Sequence, residues 1–437
     1  MKKQSIIISG TVLALFANLF MTVCAFAHDY TPAAPQSFPV LLRGGTLHTA
    51  SHGELASTDL LFVDGIITAI GQNLTIPAKT EVIDVTGMHV YPGLIAPSTT
   101  LGLIEIGLVR ATNDQDEVGS INPEVKAHIA YNPDSEILPT VRSNGITTAL
   151  IVPQGDLIAG QSTLLNLDGW TWEDSQEKLS AAMHISWPNA GISAGFFGFA
   201  QPAEEQLKAQ KAQEQAIYSI LESAESYRLA KKANPSGTPV DLRLESLQPL
   251  LEGSMPAIVA ANDKRQMERA MAFAERFKLR LIFMGGYDAL DIADQLKARN
   301  IGIITQKVHS LPNRSEDDYD FPFRLPGLLA GVGLKVAICD GLGSWNVRNL
   351  PFQAGQAVAF GMSKEDALRS ITLWPAEMLG VAEKLGSLDI GKKATIVVSK
   401  GDIMDYTTHR VVYEFIGGRL INLENKQTEL NRKYKNR

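Results

Sequence analysis

Between Thr147 and Ile371 the chain alternates short apolar runs with longer amphipathic stretches, and this alternation narrows the possible folds more than any other feature. Thr147–Val152, Ala181–Trp187, Pro256–Ala260, Leu279–Phe283, Ile301–Thr305 and Lys335–Ile338 are the apolar runs. Runs this short, with little polar alternation, suit strands covered on both faces. Between them, Met267–Phe277, Ala289–Ala298 and Lys364–Ile371 repeat apolar residues at helical spacing. Strand–helix alternation predicts an α/β fold with a parallel sheet, usually closed as a (β/α)8 TIM-like barrel. A length of 437 residues leaves room for a smaller second domain.

The two ends have the texture of that second domain. Leu41–Leu47 and Asp59–Ile70 alternate apolar and polar residues, and Asp64-Gly65 is a strong hairpin signal. Ala394–Val398 and Arg410–Phe415 repeat the pattern near the other end. The segments are expected to pair as one small β-sandwich built from both chain ends. The predicted division is a signal peptide at 1–27, the N-terminal sandwich part at 28–90 and the barrel at 91–384. The C-terminal sandwich part follows at 385–425, then a solvated basic tail at 426–437. Glu204–Lys232 reads as a long helix with an apolar stripe through Ile217, Ile220, Leu221 and Tyr227 and a solvated charged face. No internal repeat is evident.

Met1-Lys2-Lys3 followed by the apolar run Ile6–Ala27 and the small residues of Ala25-Phe26-Ala27 forms an export signal, with His28-Asp29 starting the mature chain. The competing reading is an uncleaved anchor; the cleavage site and the polar linker beyond it favour removal. Val23 before Cys24 is too bulky for lipoprotein processing. The expected location is periplasmic or secreted, with no membrane contact after cleavage. Only Cys339 then remains, which excludes an intrachain disulfide. A formal charge of −7 argues against general nucleic-acid binding.

Several motifs fall in one order along the chain: Val90-Tyr91-Pro92-Gly93-Leu94-Ile95, Gly155–Gln161, Asn346–Pro351, Ile371–Gly380 and Gly386–Lys392. In these the sequence resembles the amidohydrolase superfamily, most closely its imidazolonepropionase-like branch. The resemblance implies the barrel and satellite domain, hydrolysis of non-peptide C–N bonds, and a divalent metal such as zinc. In that family Pro-Gly-Leu-Ile leads into Asp-x-His-x-His, whose two imidazoles point the same way from one strand onto the metal. Here the matching positions are Ala96, Ser98 and Thr100. The family's Val-His-Ala histidine is matched by Ala260, and its Glu-His-Gly by Met284-Gly285-Gly286. Neutral hydroxyls are poor ligands for a zinc-like ion. Asp340 alone survives, where the resemblance places a metal-linked general base; one carboxylate cannot hold a catalytic metal.

The sequence therefore predicts no bound metal or other cofactor and a non-catalytic protein, either binding a small molecule or supporting a second copy or a catalytic relative. The alternative is an active hydrolase of C–N bonds in small or cyclic amides, working around Asp340. Candidate pocket residues are Ser98, Thr100, Gln161, His184, Ala260, Asn262, Asn346 and Arg348, with Asp340 as the candidate catalytic group. The chain has eight histidines. His28 starts the mature tail, and His48, His52 and His409 belong to the satellite segments. His89 precedes the first barrel strand, His128 lies in an expected loop, and only His184 and His309 fall near barrel strands. Gly191-Ile192-Ser193-Ala194-Gly195 matches a nucleophile elbow but lacks the strand–turn–helix context. Gly341-Leu342-Gly343 is too short for a phosphate loop. Gln306–Phe323, with Asp317, Asp318 and Asp320, reads as a lid or, more simply, an acidic surface loop.

Overall fold

The computed structural model describes residues 31–192 and 201–435; the signal-peptide segment and Ser193–Gly195 of the elbow motif lie outside the described residues. Strands β1 (Val40–His48), β2 (Glu54–Val63) and β3 (Ile66–Gly71) form an antiparallel meander. It turns at Asp64-Gly65, whose φ angles of 49° and 77° are those a tight hairpin needs. β1 also pairs in parallel with β4 (Glu81–Asp84) and β5 (His89–Pro92). From the far end of the chain, β14 (Ile396–Ser399) lies antiparallel to β5, followed by β15 (Val411–Ile416) and β16 (Arg419–Leu420). Both chain ends thus share one sheet, with Leu42, Leu60, Phe62, Val90, Ile396 and Phe415 as its core.

The second sheet is the barrel, with strands in consecutive order: β6 (Leu94–Thr99), β7 (Ile146–Ile151), β8 (Ile158–Asn166), β9 (Gln176–Ser186), β10 (Ala257–Ala261), β11 (Leu281–Gly285), β12 (Gly302–Lys307) and β13 (Val336–Cys339). Side chains alternate between two cores. Ile258, Ile282, Ile304 and Ala337 fill the barrel interior. Val259, Phe283, Ile303 and Val336 face outward onto the helices. The ends of β6 and β13 meet at a seam, where the Thr100 amide and hydroxyl both donate to the Leu342 carbonyl at 3.0 and 2.9 Å and the Thr99 hydroxyl donates to Gly343 at 3.1 Å.

One strand departs from the parallel pattern. β8 runs antiparallel to both β7 and β9. The connection from Val152 to Leu157 is too short for a crossover helix, so the chain must return as a hairpin. The Gly155–Gln161 segment, expected to meet a ligand, is therefore partly strand. Gln161 is buried there, with its amide side chain donating to the Pro123 carbonyl at 3.0 Å.

The helix α1 (Ile137–Arg142) follows β6, and α2 (Ala203–Ala233) buries Ile217, Leu221 and Tyr227 as the stripe predicts. α3 (Lys264–Phe277) starts at a capping box formed by Asp263 and Gln266. α4 (Phe321–Gly331) precedes β13; α5 (Leu350–Ala359) and α6 (Lys364–Ser370) follow it. The expected solvated tail carries a helix, α7 (Lys426–Tyr434), with no buried residue, started by an Asn425–Thr428 capping box and held by the Thr140 hydroxyl donating to Gln427 at 2.6 Å. Its lack of an apolar stripe hid it from the periodicity. Among the described residues no helix is long and apolar enough to cross a membrane.

Candidate functional site at the carboxyl ends of the barrel strands

In a parallel barrel the ligand-facing residues lie at the carboxyl ends of the strands, and most of the predicted candidates are there. Ser98 and Thr100 close β6, both almost fully buried. The Thr100 hydroxyl is committed to the seam, whereas Ser98 Oγ has no hydrogen-bond partner among the described residues. His184 sits on β9 opposite Gly160 of β8 and Ile258 of β10. Burial pushes its imidazole down to about 3, so the ring is neutral across the physiological range, and Nε2 has no partner among the described residues. Ala260 ends the inward series of β10 and offers only a methyl group.

Asn262 follows β10 immediately. Its amide nitrogen donates to the Gln266 side chain at 2.8 Å, its carbonyl accepts from the Asp288 amide at 2.9 Å, and Oδ1 has no partner. That oxygen lies over Gly285. A Cβ at position 285 would sit 2.3 Å from it and 2.9 Å from the Ala261 carbonyl, and Gly285 has φ of +110°. The position that the resemblance assigns to a histidine is thus closed to any side chain. The sequence showed the glycine but not the asparagine that covers it.

Asp340 directly follows β13 and is turned toward α5. Gln353 Nε2 donates to its Oδ1, and Gln353 Oε1 in turn accepts from the His309 amide at 2.9 Å. Burial raises the carboxyl to about 6; the nearby Lys307 and Arg348 cations and the Gln353 bond oppose that rise without cancelling it. Oδ2 has no hydrogen-bond partner among the described residues. Cys339, which no motif singled out, points inward instead. Its sulfur accepts from the Gly341 amide at 3.2 Å and lies 3.6 Å from the Ser98 carbonyl oxygen, with burial pushing the thiol up to about 12. Asn346 is exposed, and Arg348 is half-buried with its carbonyl accepting from Asn144 at 2.9 Å.

The candidates therefore separate. Ser98, Thr100 and Asp340 gather at the β6–β13 seam, and His184, Ala260 and Asn262 at β9–β10. Gln161 faces Pro123, and Asn346 lies on the surface. Gln353, missed by sequence reasoning, is the direct partner of Asp340; a glutamine inside an apolar helix gives no motif signal. Four other histidines are structural by their contacts. His48 and His89 hydrogen-bond each other at 2.9 Å beside Tyr91. His128 is not in an open loop but buried in a short 3-10 turn against Thr163 and Trp172. His409 binds the Ile403 carbonyl at 2.8 Å.

Comparison with known proteins gives the class. Residues 323–423 match the amidohydrolase family. The solved amidohydrolase from Thermotoga maritima MSB8 superposes with a TM-score of 0.77 at 22% identity, covering 88% of this chain and 99% of that one. The chain thus has the fold of that amidohydrolase, and its 323–423 segment is similar to the amidohydrolase family. Curated relatives are similar over short stretches only. A D-hydantoinase of Geobacillus stearothermophilus is 43% identical over 81 residues, 18% of this chain and 16% of the relative. A dihydroorotase of Citrifermentans bemidjiense is 41% identical over 56 residues, 13% of each chain. The chain thus aligns with well under a fifth of the length of either relative, whose names differ from the imidazolonepropionase-like resemblance.

These findings correct the expectation of a protein without a cofactor, because the family and the hydantoinase and dihydroorotase relatives imply a metal. The residues at the matching positions do not fit one. Ser98 and Thr100 offer hydroxyls, Ala260 a methyl group, and position 285 is sealed by Asn262. Among the described residues no three His, Cys, Asp or Glu side chains come together as a metal-binding group.

Proposed function

We propose that this chain is an exported amidohydrolase-fold protein whose barrel mouth binds a small polar molecule without hydrolysing it at the family's usual centre. The carrying observation is a set of four buried polar atoms at the ends of four strands: Ser98 Oγ, His184 Nε2, Asn262 Oδ1 and Asp340 Oδ2, none with a hydrogen-bond partner among the described residues. Buried polar atoms are almost always satisfied, so each calls for a donor or acceptor from outside the chain. A neutral molecule rich in amide N–H and C=O groups matches them, and the names of the relatives suggest cyclic amides. Export rests on Met1–Ala27, and a role beside a protein partner is supported by the fully exposed Leu108 and by Val118 and Leu311 on loops of the chain.

A second reading has one observation in its favour. A carboxyl raised to about 6, as at Asp340, has the acidity of a general acid–base group near neutral pH. It would make the chain an active hydrolase of small or cyclic amides. Calorimetric titration with hydantoin, dihydrouracil and dihydroorotate, alongside a turnover assay with added zinc or manganese, separates the two. Saturable binding without turnover is the expected result; chelator-sensitive hydrolysis of any of the three would overturn the binding-protein reading. N-terminal sequencing of the exported protein should begin at His28.

A further inference from the structure

At the opposite end of the barrel, the amino ends of β10 to β13 surround a cavity of about 560 Å³, a volume in the range of small-molecule sites. Its floor is apolar, formed by Met271, Ile282 and Met378. Its rim carries Lys278, Arg280, Arg299 and Lys335. Arg299 is paired with Glu275 at 3.5 Å and Lys335 with Glu377 at 2.8 Å. Lys278 and Arg280 have no carboxylate partner among the described residues, although the whole chain carries a formal charge of −7. A third cation, Lys178, stands close by. Its ammonium donates to the Leu379 carbonyl at 2.7 Å, and its pKa is lowered by burial and then by repulsion from Arg280.

Lys278 adds a backbone observation. It caps α3 in the left-handed conformation, with φ of 57° and ψ of 39°. Glycine is the usual residue at that position, since a side chain there is strained. A lysine stands where glycine is usual, and it lines the cavity beside an arginine that has no carboxylate partner among the described residues.

We propose that this cavity binds a small organic dianion, its two charged groups held by Lys278 and Arg280 and its apolar body lying on Met271, Ile282 and Met378. The guanidinium of Arg280 suits a carboxylate or phosphate group, which it can grip with two parallel N–H donors. The site is separate from the barrel mouth, because it opens at the amino ends of the strands. It depends on neither reading of that mouth.

The test titrates phenyl phosphate and glutarate into the full mature chain at low ionic strength, with uncharged glutaramide as the control. Variants are K278G, R280A and, on the exposed face of α2, the double change K208A/K211A. The expected result is saturable binding of the dianions but not of glutaramide. K278G and R280A should each weaken it by about tenfold or more, the scale of one lost charge-assisted hydrogen bond, while K208A/K211A binds as wild type. K278G should also melt no lower than wild type, because glycine relieves the left-handed strain; this separates lost binding from lost folding. Absence of saturable dianion binding, or wild-type affinity in K278G and R280A, would overturn the proposal. A flotation assay with phosphatidylcholine vesicles containing phosphatidylglycerol distinguishes a lipid surface. Vesicle binding that needs Lys278 and Arg280, without binding of phenyl phosphate, would also overturn it.

Discussion

Replacing Glu414 with glutamine should remove a pH dependence from the stability of the whole chain. Glu414 lies on β15 with no exposed surface, and neither carboxylate oxygen has a hydrogen-bond partner among the described residues. Around it is a buried ionic group: Arg142 bonds Asp168 at 2.9 Å, and Arg419 reaches the other Asp168 oxygen at 3.1 Å. Burial drives the Glu414 carboxyl well above its ordinary value; Arg142 opposes the rise and Asp168 adds to it. The folded state therefore keeps a proton that the unfolded chain loses above its ordinary glutamate pKa of about 4.3. Stability from this group is complete below that value and falls as pH rises toward the raised folded value. The slope is up to about 1.4 kcal/mol per pH unit for one proton. The range to test is pH 5 to 7, above the ordinary glutamate value. Glutamine has nearly the same shape and cannot titrate. Urea unfolding of wild type and E414Q across this range should give curves that diverge, the variant gaining on wild type with rising pH. Parallel pH dependences would refute the reasoning, because the carboxyl would then be titrating alike in both states.

Three further outcomes follow from named contacts. His184, held down to about 3 by burial, should cost stability as pH falls below the unfolded value of about 6.5, by up to about 1.4 kcal/mol per unit relative to H184M; equal acid sensitivity of the two in urea titrations would count against a buried neutral ring. Asp340, raised to about 6, stabilises the fold below its ordinary range and loses that contribution as pH rises through about 6, so D340N should gain on wild type over that interval. A D340N protein that is less stable at neutral pH would show instead that the ionised carboxylate is needed by Gln353. At Gly93 an added Cβ would lie 2.2 Å from Thr147 Oγ1 and 2.7 Å from Thr395 Cγ2. G93A should therefore lose about 1–3 kcal/mol, part of which T147A restores in the double variant; strictly additive losses would place the strain elsewhere.

The barrel was legible because its strands are short apolar runs and its helices keep helical spacing, both local patterns. Six of the eight strands were outlined, five to within two residues at each end, such as Ala257–Ala261, whereas Ala181–Trp187 caught only the second half of Gln176–Ser186. The reversed β8 was not, since Ile158–Asn166 is buried along its whole length and carries no mark of direction. The site was legible only by resemblance, position by position. Which way a side chain turns after a strand ends is a tertiary matter. Asp340 follows β13 as the motif places it, yet it bonds Gln353 on α5. His184, by contrast, faces inward as strand alternation requires, with Met183 and Ile185 packed on the outer core.

The changes at the mouth fit one another, which argues against simple loss of single ligands. Asn262 Oδ1 occupies the space over Gly285, so the asparagine and the glycine require each other. Thr100 spends its hydroxyl and its amide on Leu342, making the seam between the first and last strands out of a position that would otherwise face a ligand. Cys339 turns inward beside the Ser98 carbonyl, adding a buried thiol to a largely apolar interior. A metal centre of the usual kind holds its strand ends together through shared ligands. Here direct hydrogen bonds and packing join the same strand ends. Restoring histidine at 98, 100 and 260 would therefore break the Thr100–Leu342 hydroxyl bond and leave position 285 blocked, so rebuilding the constellation would also require replacing Asn262.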